Sequence, residues 1–297
     1  MNIYPSRNKQ NITTDVYIDG VEISDSRVDI DTTVIMPFFT TVGSFLCCPY
    51  RDTFCILNGT GLYVFNGKGW EYSQAESIGT TIRNDYQRMI DYDNDLHVFN
   101  CNSGGNVLSD WVWDGEQLTQ NLTFNGSVSI SDYYSVIEYH GELYIPAVVF
   151  RVSNRLGLYI MDLQNSTLIR AVDLYDAGFD TSDAIRMVVY NDEIHILNGT
   201  SHYKWNGTVL SSVSTIPIDL SNGFAITWNN KIHIIKDFDH YSWNGTAWSK
   251  EPNTMFKHYT PSTEGGVYNN KLYLLGGVGV MGIETISSIP PKDVTIS

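Results

Sequence analysis

The chain has 297 residues, a formal net charge of −15 and only 18 Lys and Arg residues. A surface of this sign repels a phosphate backbone, which argues against nucleic acid as a partner. The sequence shows no apolar run long enough for a signal peptide or a membrane span, so we expect neither secretion nor membrane insertion. An aromatic share of 13% favours β-strands, where flat rings pack on a pleated surface.

A unit of two strands joined by a polar turn recurs along the chain. Each copy has Asn-Gly or Asp-Gly at its centre, and the copies begin at Val16, Tyr63, Trp111, Tyr203 and Tyr241. These dipeptides supply the two positive φ angles of a type I′ turn, which predicts two-residue hairpins. In the last copy, Trp243 then lies opposite Thr246. Tyr241 lies opposite Trp248, so one face of the hairpin is aromatic. A sixth copy, with a longer turn, begins at Leu158.

A second unit precedes each hairpin and consists of an aromatic residue, a tight polar turn and an apolar strand. Its six copies begin at Pro49, Asp91, Glu138, Val189, Thr227 and Val267. Alternation of the two units gives four short antiparallel strands per repeat, which is the pattern of a propeller blade. The last copy, ending at residues 271–277, has no hairpin after it, whereas the hairpin at residues 16–23 has no strand pair before it.

These two incomplete units complement each other. We therefore expect an all-β, six-bladed β-propeller over residues 15–277, whose sixth blade pairs the N-terminal and C-terminal segments. Residues 1–14 would form an N-terminal arm, and residues 278–297 a C-terminal extension.

The sequence resembles the Kelch-repeat β-propeller family. The resemblance rests on KLYLLGG at residues 271–277 and on YSWNGTAW from Tyr241, and it covers about residues 16–277. Kelch repeats carry an apolar strand that ends in a Gly pair, then a Tyr, an acidic or Asn turn position and a Trp. Only the last repeat keeps the Gly pair, as Gly276 and Gly277. The resemblance implies a propeller that binds other proteins through its loops.

The long connections between the tight hairpins are predicted to lie together on one face of the disc. Loops on a rigid scaffold are where recognition residues accumulate, so this face is the predicted binding surface. Its candidate residues are Tyr86, Tyr133, Tyr134, Phe179, Asp180, Phe256 and His258. The alternative for each of them is an ordinary solvated or loop-packing role.

Residues that could bind metal recur at one position per repeat, namely His97, His195, His233, Tyr144 and Tyr273. Equivalent positions in a propeller are spread around the disc, too far apart to share an ion with bonds of about 2 Å, so we expect a structural role between blades and no metal. DYDND at residues 91–95 is predicted to be a plain turn. The four carboxylates of residues 173–183 leave a calcium site open as an alternative.

The four cysteines lack the spacing of a zinc site or of a disulfide framework. Cys48 is expected directly across from Cys55 in its hairpin. Reduced thiols are expected, with a Cys48–Cys55 disulfide as the alternative.

No Ser with an associated base, no Asp-box repeat and no cofactor motif is found, so the sequence predicts a non-enzymatic binding or structural module without a cofactor. Our first hypothesis is a virion or tail-associated bacteriophage protein that attaches to other subunits or to a host-surface glycan. The alternatives are a cytosolic Kelch-type adaptor that binds peptides and a carbohydrate-active enzyme. The enzyme would show two carboxylates facing one pocket. The expected location is the virion, or otherwise the cytoplasm.

Overall fold

The computed structural model describes residues 15–18, 21–24, 45–58, 61–66, 70–74, 87–101, 107–114, 117–125, 128–129, 135–149, 155–179, 184–221, 223–254, 265–276 and 282–287. Within these ranges the chain forms antiparallel strands and a single short 3-10 helix, Tyr175–Ala177. The all-β propeller prediction is confirmed. The described part of the chain contains no helix with the length and apolar character needed to cross a bilayer.

The strands form consecutive antiparallel meanders, which we number as blades in chain order. Blade 1 contains β3 (Phe45–Tyr50), β4 (Thr53–Asn58), β5 (Gly61–Phe65) and β6 (Trp70–Gln74). Blade 2 contains β7 (Gln87–Tyr92), β8 (Asp95–Cys101), β9 (Leu108–Trp113) and β10 (Leu118–Thr123). Blade 3 contains β11 (Val128–Ser129), β12 (Ile137–Tyr139), β13 (Glu142–Val149), β14 (Leu156–Asp162) and β15 (Thr167–Asp173), and both β11 and β12 pair with β13.

The second half of the ring repeats this arrangement. Blade 4 contains β16 (Ile185–Tyr190), β17 (Glu193–Asn198), β18 (Ser201–Trp205) and β19 (Leu210–Thr215). Blade 5 contains β20 (Phe224–Trp228), β21 (Lys231–Lys236), β22 (Asp239–Trp243) and β23 (Trp248–Lys250). A three-stranded sheet follows, with β24 (Gly265–Tyr268), β25 (Lys271–Gly276) and β26 (Gly282–Ser287).

The first strands of neighbouring sheets contact each other, so they surround the central axis and the later strands lie outside. The core consists of apolar clusters between the faces of adjacent sheets. One cluster, for example, joins Leu156 and Leu158 of blade 3 to Ile194 and Ile196 of blade 4. The second strands, which lie inside these clusters, are apolar on both faces, whereas fourth strands such as β10 and β19 are polar and more exposed.

The predicted count of six complete blades is corrected to five, with the three-stranded sheet between blades 5 and 1. The predicted closure is wrong as well. Among the described strands, β1 (Asp15–Ile18) and β2 (Val21–Ser24) pair with each other, and the outer neighbour of β25 is β26. The ring closes instead where β24 lies against β3, and there the Tyr268 hydroxyl donates to the Asp52 carbonyl at 2.8 Å.

Type I′ geometry occurs in the turn between the first and second strands of a blade. Asn191 and Asp192 have φ of 50° and 60°, and Asn229 and Asn230 have φ of 49° and 56°. Asn and Asp tolerate this left-handed region better than other non-glycine residues, which explains why these turns are polar. DYDND at residues 91–95 forms a turn of the same kind, as predicted.

The Asn-Gly hairpins between the third and fourth strands differ from the prediction. Trp243 pairs with Trp248 and not with Thr246, so the connection has four residues. The Asn244 side-chain oxygen accepts hydrogen bonds from the backbone N–H groups of Thr246 and Ala247 at 2.9 and 3.0 Å. This Asx-type capping competes with the two-residue turn and stabilises the longer loop. In β1–β2, however, Ile18 pairs with Val21, as a two-residue turn requires.

A repeated hydrogen bond joins neighbouring blades. The aromatic residue at the end of a first strand donates to a backbone carbonyl in the tight turn of the next sheet. The bonds are Tyr50 to Asn94 (3.2 Å), Tyr92 to Gly141 (2.8 Å), Tyr139 to Asp192 (2.9 Å), Trp228 to Asn270 (3.4 Å) and Tyr268 to Asp52 (2.8 Å). The aromatic residue of the second repeat unit therefore fixes one blade to the next.

Candidate functional site

Most of the predicted binding residues lie outside the described part of the chain, namely Tyr86, Tyr133, Tyr134, Asp180, Phe256 and His258. Phe179 is described, and its side chain is only 5% exposed. Its ring lies 4.9 Å from that of Tyr203, within the cluster between blades 3 and 4. Phe179 therefore has the loop-packing role, because the chain after the 3-10 helix turns inward with the Phe179 N–H bonded to the Leu174 carbonyl.

The recurring position on the second strand of each blade is buried throughout, with side chains of His97, Tyr144, His195, His233 and Tyr273. Each of the three imidazoles bonds to a residue on the third strand of its own blade. Within the described ranges, no group of three or more His, Cys, Asp or Glu side chains could hold a metal ion. Of the acidic residues at 173–183, Asp173 contacts Arg170 and Asp176 contacts Arg155, while Asp180 and Asp183 lie outside the described residues.

In blades 4 and 5 the partner at the recurring position is a second histidine. The Nδ1 of His195 lies 2.7 Å from the Nε2 of His202, and the Nδ1 of His233 lies 2.8 Å from the Nε2 of His240. Desolvation lowers the pKa of His195 to about 4, of His202 to about 3 and of His233 to about 4. His195, His202 and His233 are therefore neutral at pH 7, and the two pairs serve as packing elements. The His202 ring, for instance, lies 5.2 Å from that of Trp243 in the next blade.

Blade 2 departs from this pattern, since its third-strand partner is a carboxylate. The Nδ1 of His97 lies 3.0 and 3.1 Å from the two oxygens of Asp110, which is fully buried. Asn121 donates a further hydrogen bond of 2.9 Å to Asp110. A carboxylate only accepts, so this geometry places a proton on Nδ1 of His97.

A β-bulge places Asn121 in this network. In the β9–β10 ladder Gln120 pairs with Trp111 and Leu122 pairs with Asp110, so Asn121 is the extra residue between them. A bulge of this kind redirects a side chain without breaking the strand. Here it directs the Asn121 amide to the carboxylate of Asp110 on the neighbouring strand.

The His97 ring lines a polar cleft of about 450 Å³ between blades 2 and 3. The other lining residues are Tyr92, Asp93, Asp95, Val112, Thr119, Gln120, Asn121 and Leu163. The Tyr92 hydroxyl donates a hydrogen bond to the Gly141 carbonyl of blade 3. The carboxylates of Asp93 and Asp95 lie in and directly after the type I′ turn, which fixes their positions. The walls thus offer carboxylates, side-chain amides, a hydroxyl and an aromatic ring to one ligand.

The His97 ring lines this cleft although it is only 5% exposed. Its Nδ1 contacts Asp110, so Nε2 is the ring nitrogen that does not contact this carboxylate. The buried imidazole is thus held in one orientation at the wall of the cleft.

Sequence reasoning missed this cleft and placed binding on the opposite, long-loop face. The cleft includes Asp93 of a tight first turn and Leu163 of the turn between β14 and β15. The sequence signal for this site was Asp110, which occupies the third-strand position that holds His202 in blade 4 and His240 in blade 5. Recognising this equivalence requires an alignment of the third strands that uses the correct loop lengths.

The cysteines are as expected in part. Cys48 pairs directly with Cys55 across β3 and β4, both side chains are buried in the sheet, and no disulfide joins them. Burial raises the pKa of the Cys55 thiol to about 11. The described thiols therefore act as small core residues.

Two solved structures share this fold. The structure of YjhT superposes with a TM-score of 0.61 and 13% sequence identity, over 82% of this chain and 93% of that one. A mutant of AofleA from Arthrobotrys oligospora with three arginines changed to alanine superposes with a TM-score of 0.60 and 12% identity, over 82% of this chain and 83% of that one. At these identities the likeness concerns the fold alone. No protein-family model and no curated protein sequence matches the chain.

Proposed function

We propose that this propeller is a non-enzymatic recognition module that attaches to a glycan through the cleft between blades 2 and 3. The observation that carries the proposal is the His97 ring, which lines a polar cleft of about 450 Å³ and is held by the buried carboxylate of Asp110. A volume of this size falls within the range of small-molecule sites.

The residues of the cleft match the chemistry of a sugar. Sugar hydroxyls donate and accept hydrogen bonds, and Asp93, Asp95 and Gln120 supply both acceptors and donors. Tyr92 adds an aromatic ring for the C–H face of a pyranose. A single cleft on each chain gives a weak contact, which several copies in an assembly would convert into avidity.

The assembly that we propose is a bacteriophage virion or tail, in which neighbouring subunits are the protein partners. The rigid ring of blade-to-blade hydrogen bonds suits a component that must keep its shape under load. Mass spectrometry of purified particles tests this location. Recovery of the chain only from the soluble cell fraction would favour the adaptor alternative.

Glycan binding is tested with the purified chain on a printed array of oligosaccharides. Asp93→Asn removes a cleft carboxylate but keeps a turn of the Asn-Asn type, which blade 5 has at Asn229 and Asn230. We expect a loss of binding of about tenfold, as for a hydrogen bond to a charged group. The matched control is Asp192→Asn in the corresponding turn of blade 4, which should bind like the wild type. Equal binding by the two variants contradicts the proposed site.

A carbohydrate-active enzyme is the second candidate, because Asp93 and Asp95 face the same cleft as the His97 and Asp110 pair. Two carboxylates and an oriented imidazole are groups that acid–base catalysis uses. The same oligosaccharides distinguish the two functions. Release of new reducing ends by the wild type, abolished by Asp95→Asn, would replace the binding proposal with an enzymatic one.

A further inference from the structure

The ligand class of the cleft follows from which His97 nitrogen carries the proton. We propose that the cleft selects neutral oligosaccharides, and that His97 Nε2 accepts a hydrogen bond from a sugar hydroxyl while Asp110 fixes the tautomer. This inference rests on the proposed glycan binding and deepens it. Asp110 is a positioning residue, since it acts on the ligand through His97.

The first step is the orientation of the imidazole. Asp110 is fully buried and bonds to His97 Nδ1 through both oxygens, while Asn121 occupies a further acceptor position of the same carboxylate. Rotating the ring to present Nδ1 to the cleft would leave this carboxylate without its imidazole partner, which is costly in a buried site. The ring therefore presents Nε2.

The second step is a comparison with the other blades. In blade 5 the equivalent His233 uses Nε2 to contact the Trp228 carbonyl at 3.2 Å, and its Nδ1 faces His240. Both of its nitrogens are thus satisfied within the protein. In blade 4 the Nε2 of His195 is buried and makes no hydrogen bond to a described residue, whereas in blade 2 the His97 ring lines the cleft, so this position of the repeat lies beside a ligand-sized opening in blade 2.

The third step concerns charge. Asp93 and Asp95 line the cleft, Asp110 lies behind His97, and the protein has a net charge of −15. These acceptors attract hydroxyl donors and repel sulfate or carboxylate groups. Neutral sugars are therefore favoured over sulfated or carboxylated ones of the same size.

The tautomer is tested directly by NMR. Long-range ¹H–¹⁵N spectra of the uniformly ¹⁵N-labelled protein at neutral pH should show His97 with a protonated Nδ1 and an unprotonated Nε2. Asp110→Asn, a nearly isosteric change, offers an amide donor to Nδ1 and should reverse the tautomer. A wild-type spectrum with a proton on Nε2 would overturn the inference whatever the ligand is.

The ligand class is tested on an array that carries neutral, sulfated and carboxylated oligosaccharides. We expect the wild type to bind neutral glycans, and Asp110→Asn to lose about tenfold or more of this binding without a loss of folding. If this variant does not fold, the double change His97→Cys and Asp110→Leu replaces it, because blade 1 has that pair as Cys55 and Leu62. The double variant should fold and lose neutral binding.

The outcomes separate this inference from the proposed function. Binding of neutral glycans that is unchanged in both variants, or preferential binding of anionic glycans, overturns the inference and leaves glycan binding in place. Binding to no oligosaccharide, from an array with functional controls, overturns both the proposed function and the ligand class.

Discussion

The buried histidine pairs of blades 4 and 5 should make the propeller sensitive to acid. Desolvation keeps His195, His202 and His233 neutral in the folded state, with pKa values of about 4, 3 and 4. In the unfolded chain an imidazole titrates at about 6.5. As the pH falls below that value, these imidazoles become protonated in the unfolded state but remain neutral in the folded state. The free energy of unfolding therefore decreases between about pH 6.5 and pH 4 and levels off below the folded pKa.

The magnitude follows from the size of the pKa shift. One pKa unit corresponds to about 1.4 kcal/mol, so acidification to about pH 5 costs about 2 kcal/mol for each affected imidazole. The three imidazoles with lowered pKa values together give a loss of about 6 kcal/mol. A typical domain has about 5–15 kcal/mol in total, so this loss is a large fraction of the stability.

The assay is urea denaturation at about pH 7 and pH 5, followed by tryptophan fluorescence. The comparison variant is the double change His195→Tyr and His202→Leu, which installs the pair that blade 3 has as Tyr144 and Leu158. It removes two of the three imidazoles with lowered pKa values and should reduce the pH-dependent loss by about two thirds, roughly 4 kcal/mol. If the variant loses as much stability on acidification as the wild type, the buried pair is not the cause and the reasoning is refuted.

Three further perturbations test the fold. Because Cys55 is fully buried and its pKa is raised to about 11, iodoacetamide at about pH 8 should leave it unmodified in the native protein and alkylate it in urea, as mass spectrometry will show. Tyr268→Phe removes the hydrogen bond to Asp52 across the closing seam, and urea titration should give a loss of about 1 kcal/mol, with no loss disproving the role of that bond. Asn244→Ala removes the loop cap and should lower the free energy of unfolding by about 0.5–1 kcal/mol, and Asn206→Ala should lower it by the same amount. Unequal losses would mean that the two loops are not equivalent.

The propeller could be predicted from the sequence because its repeat is encoded in short segments. Pairs such as Asn229 and Asn230 mark a tight turn on their own, and the apolar strands beside them need no distant information. The same local signal was misleading at Asn244, where the side chain caps a four-residue loop and the turn type is therefore not the one that Asn-Gly favours. Turn position was predictable, but turn type was not, since it depends on which hydrogen bonds compete.

The closure could not be predicted in the same way. The strand that completes β25 is β26 (Gly282–Ser287), which lies in the segment that we expected to be a C-terminal extension and contains no Asn-Gly turn. Complementary halves at the two ends of the sequence suggested a pairing, but any apolar strand can satisfy the edge of β25. The choice between such strands depends on connection lengths and three-dimensional position, which a repeat pattern does not carry.

The cleft was hidden for a different reason. Its residues come from all four strands and the first turn of blade 2 and from one turn of blade 3, and Asn121 reaches Asp110 only through a bulge. Strict alternation along β10 would misplace that side chain, so the network is invisible to a pattern of period two. The seven residues selected on the long loops, by contrast, rested on a rule about where loops lie and on no contact between side chains.

A common principle links the structural and the functional histidines. Every blade must fill the same buried position between neighbouring sheets, and it can do so with Cys55, Tyr144 or a histidine, because each fits the space. What distinguishes the histidine of one blade from that of another is its partner on the next strand. A second imidazole forms a His–His pair inside the blade, whereas the carboxylate of Asp110 accepts from Nδ1 of a histidine that lines a cleft. In the binding role that we propose for blade 2, one exchange at a partner position turns a packing element into a binding element, since the repeat already supplies burial and orientation.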